Sequence, residues 1–130
     1  MNLEKTNFLL RALRWFDPRG RTIGSYAFIL NRITALGLTL YLFLHLVVLG
    51  QLSQGPTGYN AFLETIHNPV YIFAELLVVA AVFIHGLNGV RIILTSFGIG
   101  VPQQRQQFVV LMVIALIAIL YFGVRMFGAA

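Results

Sequence analysis

Three long apolar runs dominate this sequence and decide what it can fold into. They cover roughly residues 26–50, 70–94 and 108–127. Each run has about 20 residues or more, enough for an α-helix to cross a hydrocarbon core of ~30 Å. The runs are continuously apolar and do not alternate with polar residues, which argues against membrane-spanning strands. The sequence therefore predicts an all-α membrane protein with three transmembrane helices in an up-down-up bundle, forming a single membrane domain over residues 1–130.

The composition indicates that lipid covers much of the surface. Of the 130 residues, 58% are hydrophobic and 10% are charged, whereas about 25% are charged in ordinary soluble domains. A chain this small cannot bury so much apolar surface internally. The absence of cysteine excludes disulfides, thiolate metal sites and iron–sulfur clusters held by this chain. The net charge of +5 does not indicate nucleic-acid binding, because the basic residues flank the apolar runs as topology signals do.

The basic residues predict an orientation in the membrane. Residues 1–24 carry most of them, and Arg91 and Arg105 lie near the second link, whereas the first link carries only Glu64 as a charged residue. By the positive-inside bias, the N-terminus and the second link are cytoplasmic. The segment GQLSQGPTGYN then forms a turn-rich outer loop. We expect a multi-pass protein of a plasma membrane or cell inner membrane, with a mitochondrial inner membrane less favoured.

An amphipathic segment precedes the first span. In LLRALRWF, residues 9–16, the apolar side chains share one helical face and Arg11 and Arg14 flank it. This pattern is typical of an interfacial helix lying on the membrane. The alternative is a docking surface for a cytoplasmic subunit.

Two histidines lie inside the apolar runs, His45 in the first and His85 in the second. A polar ring at bilayer depth is costly and usually functional, and imidazole is a standard axial ligand of haem iron. The pair therefore predicts a membrane cytochrome b, with structurally packed histidines as the alternative. Counting residues from the ends of the apolar runs separates the two histidines by about 8 Å along the membrane normal, which favours separate haem partners.

The surroundings of each histidine add expectations. Gly89 shares a helix face with His85, and Gly86 adjoins it, so a haem edge or another helix can approach closely. The alternative is a helix–helix packing notch in which His85 bonds a neighbouring serine or carbonyl. Glu75 lies at about the depth of His45 in the antiparallel neighbour, so we expect it to contact His45 or bound water, as part of a proton route or a haem second shell. His67 is predicted to be a loop histidine, and Asn68-Pro69 is predicted to open the second span.

The start of the first span is also polar. Asn31 and Arg32 lie about one turn inside its cytoplasmic end. Arg32 either extends to the headgroups or contacts a haem propionate or a quinone head. Ser25, Asn31 and Thr34 are candidates for further polar contacts.

The segments SYAFILNRITALGLTLYLFLHL and FIHGLNGVRIIL resemble the cytochrome b membrane-anchor subunit of succinate dehydrogenase and fumarate reductase, over about residues 22–96. That family shows His-Arg-x-Ser/Thr-Gly entering its first span, which here is NRITA at residues 31–35. It also shows His-x-x-x-Gly-x-Arg in its second span, matched by His85, Gly89 and Arg91. Asparagine and alanine replace the histidine and glycine of the first motif. Thr95-Ser96 replaces the acidic residue that often follows the second.

The resemblance implies roles for these residues. His85 would be an axial ligand of haem b, with the opposite ligand supplied by another chain. Arg32 falls where a quinone-contacting arginine lies, with Ser25 and Asn31 as secondary contacts. His45 fits family variants that have two small anchor subunits and two haems. Haem propionate or second-shell contacts are expected from a further group of residues: Asn31, Arg91 and Glu75.

The resemblance also implies a four-subunit enzyme. A flavoprotein subunit and an iron–sulfur subunit would pass electrons from succinate to this chain and a second membrane-anchor subunit, which would hold haem b and a quinone, either menaquinone or ubiquinone. This chain would supply no catalytic residue for succinate. Two alternatives remain: a cytochrome b of another quinone-linked dehydrogenase, such as a formate dehydrogenase or hydrogenase, and a haem-free anchor or small transporter using Glu75.

Overall fold

The computed structural model describes residues 22–66 and 68–128, and these residues are almost entirely helical. The α-helices are α1 (Ile23–Gln51), α2 (Gly55–Ile66), α3 (Pro69–Ser96) and α4 (Gln104–Gly128), with 3₁₀ turns at Leu52–Gln54 and Val101–Gln103. The described residues contain no β-strand. The amphipathic segment predicted at residues 9–16 and the predicted loop histidine His67 lie outside the described residues.

Three helices are long and apolar enough to cross a membrane, which confirms the predicted fold class. They are Ile23–Gln51, Pro69–Ser96 and Val101–Gly128, each about 40 Å long at 1.5 Å per residue. Only 6% of the most apolar stretch of each helix is buried within the chain. Lipid or other subunits must therefore cover most of their side chains.

The second span begins as its sequence predicts. Asn68 is the N-cap of α3, and its side-chain oxygen accepts a hydrogen bond from the Val70 backbone N–H at 2.9 Å. Pro69 follows at the first helical position. Its missing N–H costs no hydrogen bond there, because the first N–H groups of a helix have no acceptor within it, and its fixed φ favours the helix. At the other end of α3, Gly98 and Gly100 adopt positive φ values of 78° and 66°, a conformation that glycine tolerates. These two residues reverse the chain into α4.

The prediction of an outer loop at GQLSQGPTGYN is wrong from Gly55 onward, because α2 begins there. Gly55 has a φ of 76° and Pro56 follows it, so the two residues mark a helix boundary instead of an extended turn. Beyond them, apolar side chains recur at helical spacing and give the short helix one apolar face. These are Tyr59, Phe62, Leu63 and Ile66.

α3 is the centre of the bundle. It packs against both α1 and α4, whereas α1 and α4 touch each other at few points. We call the end of the bundle that contains Thr22, Ser96 and Gln104 the basic end, and the opposite end the far end. The buried residues of α1 all lie in its basic-end half, and residues 39–47 are exposed throughout. α1 is thus packed most closely where the predicted motif residues lie.

Candidate functional site

The His85 ring is held against α1 through its Nδ1 atom. Nδ1 lies 3.2 Å from the carbonyl oxygen of Asn31 and 3.4 Å from Thr34 Oγ1. A carbonyl oxygen can only accept, so this contact requires Nδ1 to carry the proton. The Thr34 hydroxyl donates to the Leu30 carbonyl oxygen at 2.8 Å, which leaves a lone pair free to accept from Nδ1–H as well. The tautomer that these contacts select leaves Nε2 unprotonated.

The other ring nitrogen of His85, Nε2, has the properties of a metal-ligand atom. Nε2 forms no hydrogen bond with any residue that the structure describes, and the side chain is only half-buried. Histidines that bind metals usually donate their second ring N–H to a carbonyl or carboxylate, which fixes the ring orientation. A β-carbon added at Gly86 or Gly89 would meet no atom within 4 Å, so there is room for a flat group beside this helix.

The described residues offer no comparable site for a metal ion that is bound by protein side chains alone. Within residues 22–66 and 68–128, no three or more His, Cys, Asp or Glu side chains form a group that could hold an ion. Haem iron needs only one or two axial ligands from protein, so His85 meets that smaller requirement.

Asn88 joins α3 to α1 and orients Arg91. Its side chain is 1% exposed. Nδ2 donates to the Ala27 carbonyl oxygen at 3.2 Å, and Oδ1 accepts from Arg91 Nε at 2.9 Å. The Arg91 guanidinium lies 5.7 Å from the centroid of the Phe108 ring on α4. No role was predicted for Asn88, although an asparagine at membrane depth three residues before an arginine is the signal that could have found it.

Arg32 lies on a different face of α1 from the residues that contact His85. Ser25, Phe28 and Arg32 follow at spacings of three and four, so they share one helix face. The Arg32 guanidinium stacks 4.5 Å from the Phe28 ring centroid and is exposed. The Ser25 hydroxyl lies 3.4 Å from Thr22 Oγ1. The structure therefore gathers the predicted quinone contacts Arg32 and Ser25 on one surface, apart from His85.

Asn31 lies between the two faces. Its carbonyl oxygen accepts from His85, whereas its side-chain oxygen is buried and has no hydrogen-bond partner among the described residues. A buried acceptor without a partner is costly. This atom is a candidate to receive a hydrogen bond from a bound molecule.

His45 and Glu75 lie toward the far end and do not bond each other. His45 is exposed, stacks on Tyr41 with ring centroids 5.4 Å apart, and has Nδ1 3.3 Å from the Tyr41 hydroxyl. Glu75 is exposed on α3 and forms no hydrogen bond or ion pair with the described part of the chain. Among the described residues no hydrogen bond joins His45 to Glu75, and the hydrogen-bond partner of His45 is Tyr41, one turn away on the same helix.

The contacts of His85 also correct its separation from His45. They place His85 level with Asn31 and Thr34 on α1, and His45 is eleven residues beyond Thr34. At 1.5 Å per residue this separation is about 16 Å along α1, about twice the value expected from the ends of the apolar runs. Those ends do not fix the register between two helices, whereas a side-chain contact does. The two histidines of one chain cannot therefore bind the same iron.

A comparison with protein families bears on these residues. The model for the succinate dehydrogenase/fumarate reductase transmembrane subunit matches residues 9–123. This chain belongs to that family. The match includes all of α1, α2 and α3, and it confirms the resemblance drawn from the two motifs. As a family member, the chain is a membrane-anchor subunit.

Two curated members of the family are similar to this chain. The succinate dehydrogenase 2 membrane subunit SdhC of Mycobacterium tuberculosis is 34% identical over 83 residues, which cover 64% of this chain and 61% of that protein. The succinate dehydrogenase hydrophobic membrane anchor subunit of Halobacterium salinarum is 30% identical over 86 residues, covering 65% of this chain and 66% of that protein. The chain spans a little less than two thirds of the length of each.

Proposed function

We propose that this anchor subunit binds haem b and passes electrons to quinone within a succinate:quinone oxidoreductase. The observation that carries the proposal is the geometry of His85. Its Nδ1–H is directed at the Asn31 carbonyl oxygen and at Thr34, and its Nε2 is left with a free lone pair. This arrangement supports axial ligation through Nε2.

The residues around His85 prepare it for this role. A hydrogen bond from Nδ1–H to a carbonyl raises the basicity of the opposite nitrogen and fixes the ring plane. Gly86 and Gly89 leave space beside the ring. When bound, haem supplies a one-electron carrier between the subunits outside the membrane and the quinone. In this proposal Asn31 holds a propionate, and Arg91 and Glu75 belong to a more distant shell.

The quinone site is proposed at the face formed by Ser25, Phe28 and Arg32. Arginine stays charged in proteins and only donates, so Arg32 would hold and polarise a quinone carbonyl but would not deliver the proton. The Phe28 ring packs against the Arg32 guanidinium, whose central carbon lies 4.5 Å from the ring centroid. Asn31 Oδ1, a buried acceptor without a partner among the described residues, is suited to accept a hydrogen bond from the hydroxyl of the reduced quinone.

The exposed surfaces of the helices support an assembly. Because the spans bury so little within the chain, we propose that a second membrane-anchor subunit covers part of them and supplies the haem ligand opposite His85. A flavoprotein subunit and an iron–sulfur subunit would dock at the basic end. That end is proposed to be cytoplasmic, in a plasma or cell inner membrane, because arginines are concentrated there.

A second haem nearer the far end is proposed at His45. Because His45 and His85 are about 16 Å apart along α1, each histidine would bind a separate haem. His45 is exposed, so a group bound there would lie between this chain and another subunit. Tyr41 can accept from Nδ1–H of His45, which would leave its Nε2 free as well.

The haem proposal is tested by replacing His85 with alanine in the intact complex. We expect the b-type band assigned to this site to disappear from the reduced-minus-oxidised optical spectrum, because the iron loses an axial ligand. His67→Ala is the matched control and should leave the spectrum unchanged. If His85→Ala keeps the full haem content and spectrum, the assignment is overturned. A wild-type complex without any b-type band would show a haem-free anchor.

The quinone proposal is tested with Arg32→Leu. We expect quinone reduction to fall at least tenfold, whereas succinate oxidation by a soluble artificial acceptor stays within twofold, because only the membrane step uses Arg32. Arg125→Leu, which removes an exposed arginine near the far end, is the control. Equal losses in both assays would mean that Arg32 serves assembly, and the quinone role would then be rejected.

A further inference from the structure

The basic end contains a cavity that has no part in the reaction proposed above. It has a volume of about 460 Å³ and lies where the first residues of α1 and α4 meet the last third of α3. Described residues from all three helices line it: Thr22, Ile23, Gly24, Arg91, Gln104 and Arg105.

The lining of this cavity is suited to an anion. Two arginines, Arg91 and Arg105, line it, and arginine stays charged in proteins. Ile23 and Gly24 are the first two residues of α1, and the first N–H groups of a helix have no acceptor within the helix and carry a partial positive charge. Thr22 and Gln104 add a hydroxyl and an amide that can also donate.

No described carboxylate is placed to neutralise these charges. Within residues 22–66 and 68–128 the acidic side chains are Glu64 on α2 and Glu75 near the start of α3, and both lie toward the far end. Arg91 is also fixed in place, because its Nε donates to the buried Asn88. The cavity thus combines an oriented guanidinium with a second cation from another helix.

The position of the cavity distinguishes its ligand from a haem propionate. Arg91 follows His85 by six residues, which places it about 9 Å further along α3 and about 240° around the helix axis. His85 faces α1, whereas Arg91 reaches toward α4 and Phe108. An anion in the cavity would therefore lie on another side of α3 from His85.

The level of the cavity in the membrane indicates the kind of anion. Arg91 is five residues from the end of α3, and Thr22 directly precedes α1, so the cavity lies where lipid headgroups meet the hydrocarbon. The adjoining link exposes large apolar side chains: Phe97 at 78%, Ile99 at 56% and Val101 at 42%. These side chains offer a surface for acyl chains next to a site for a phosphate.

We propose that this cavity binds the phosphate group of an anionic membrane phospholipid. Arg91 and Arg105 hold the phosphate oxygens, the start of α1 donates backbone N–H groups, and the acyl chains lie over the apolar link. The bound lipid would join α1, α3 and α4, of which α1 and α4 otherwise touch each other at few points.

The test measures lipid binding to the intact, delipidated complex by native mass spectrometry. Phosphatidylglycerol and phosphatidylcholine are added separately, and inorganic phosphate is added as a competitor. We expect one phosphatidylglycerol to bind at least tenfold more tightly than phosphatidylcholine. Arg105→Gln should weaken that binding about tenfold, whereas Arg105→Lys should retain most of it. Arg125→Gln, on the same helix at the far end, should change it less than twofold. Haem content should stay at the wild-type level in all three variants.

Four outcomes would overturn the proposal. Equal affinity for the two lipids in the wild type would show that the site does not prefer anionic lipids. Equal lipid binding by Arg105→Gln and wild type would show that the lipid does not bind in this cavity. Binding of inorganic phosphate without any lipid would assign the site to a free anion. Loss of haem or of the iron–sulfur subunit from Arg105→Gln, with lipid binding unchanged, would assign the arginine to a propionate or to a protein carboxylate. Because haem is measured separately, failure of this proposal is distinguishable from failure of the haem assignment.

Discussion

The two membrane histidines lie in halves of the bundle that are built differently. His85 is half-buried in the basic-end half, where its Nδ1 faces groups of α1 and where Asn88 crosslinks the same two helices. His45 is in the far half, exposed, and its hydrogen bond is with Tyr41 on its own helix. One histidine is oriented by tertiary contacts and the other only by its neighbour one turn away.

This difference shows where the chain depends on partners. In lipid the hydrophobic effect does not drive helices together, so hydrogen bonds and close packing must hold them. The basic-end half has such contacts within the chain, and its candidate ligand is preorganised. The far half leaves residues 39–47 of α1 exposed, so any site built on His45 must be completed by another subunit. The predictions below test this contrast.

The largest effect is expected from His45→Ala. If His45 binds a haem of its own, the complex should fall from two haems per flavin to one, and the band assigned to His85 should remain. The measurement is haem and flavin content of the purified complex. A wild-type ratio near one would leave His45 without a haem, and the far half would then have only a structural or proton-handling role.

The next largest effect is expected on stability, from Asn88→Leu. Leucine keeps the branched shape of asparagine but removes the hydrogen bonds to the Ala27 carbonyl and from Arg91, which leaves the part-buried Arg91 Nε without its partner at a cost of about 1–3 kcal/mol. Tyr41→Phe, the matched loss of a hydrogen bond in the far half, should cost less than about 0.5 kcal/mol, because Tyr41 is exposed. Both are measured by unfolding the purified complex in mixed micelles with increasing SDS. Equal destabilisation would remove the distinction between the two halves.

A smaller effect is expected from Thr34→Val. It removes one acceptor of His85 Nδ1–H and leaves the Asn31 carbonyl in place, so haem should dissociate about tenfold faster, at the lower end of the range for residues that orient a metal ligand. Thr39→Val is the control, since the Thr39 hydroxyl bonds only the Ala35 carbonyl of its own helix. Haem transfer to apomyoglobin gives the rates. Identical rates in the two variants would show that Thr34 does not orient His85.

The sequence predicted different parts of the candidate site to different degrees. The motif residues His85, Gly89 and Arg91 were found because polar residues and glycines stand out in an apolar run. Asn88 was left without a role, because its importance comes from reaching the Ala27 carbonyl on another helix, and no spacing along the chain encodes that contact. The outer loop was predicted wrongly since glycine and proline mark both turns and helix boundaries.

What the sequence determined by itself was the three-helix membrane fold, the start of α3 at Asn68 and the family to which the chain belongs. Each of these follows from local properties: the length of apolar runs, the chemistry of a helix cap, and residue motifs within one helix. Tertiary structure decided the register of α1 against α3. That register places His85 beside Asn31 and Thr34, sets it about 16 Å from His45, turns Arg91 toward the cavity at the basic end, and leaves His45 exposed. Register between helices depends on how side chains from distant parts of the chain fit together, so it appears only once the helices are packed.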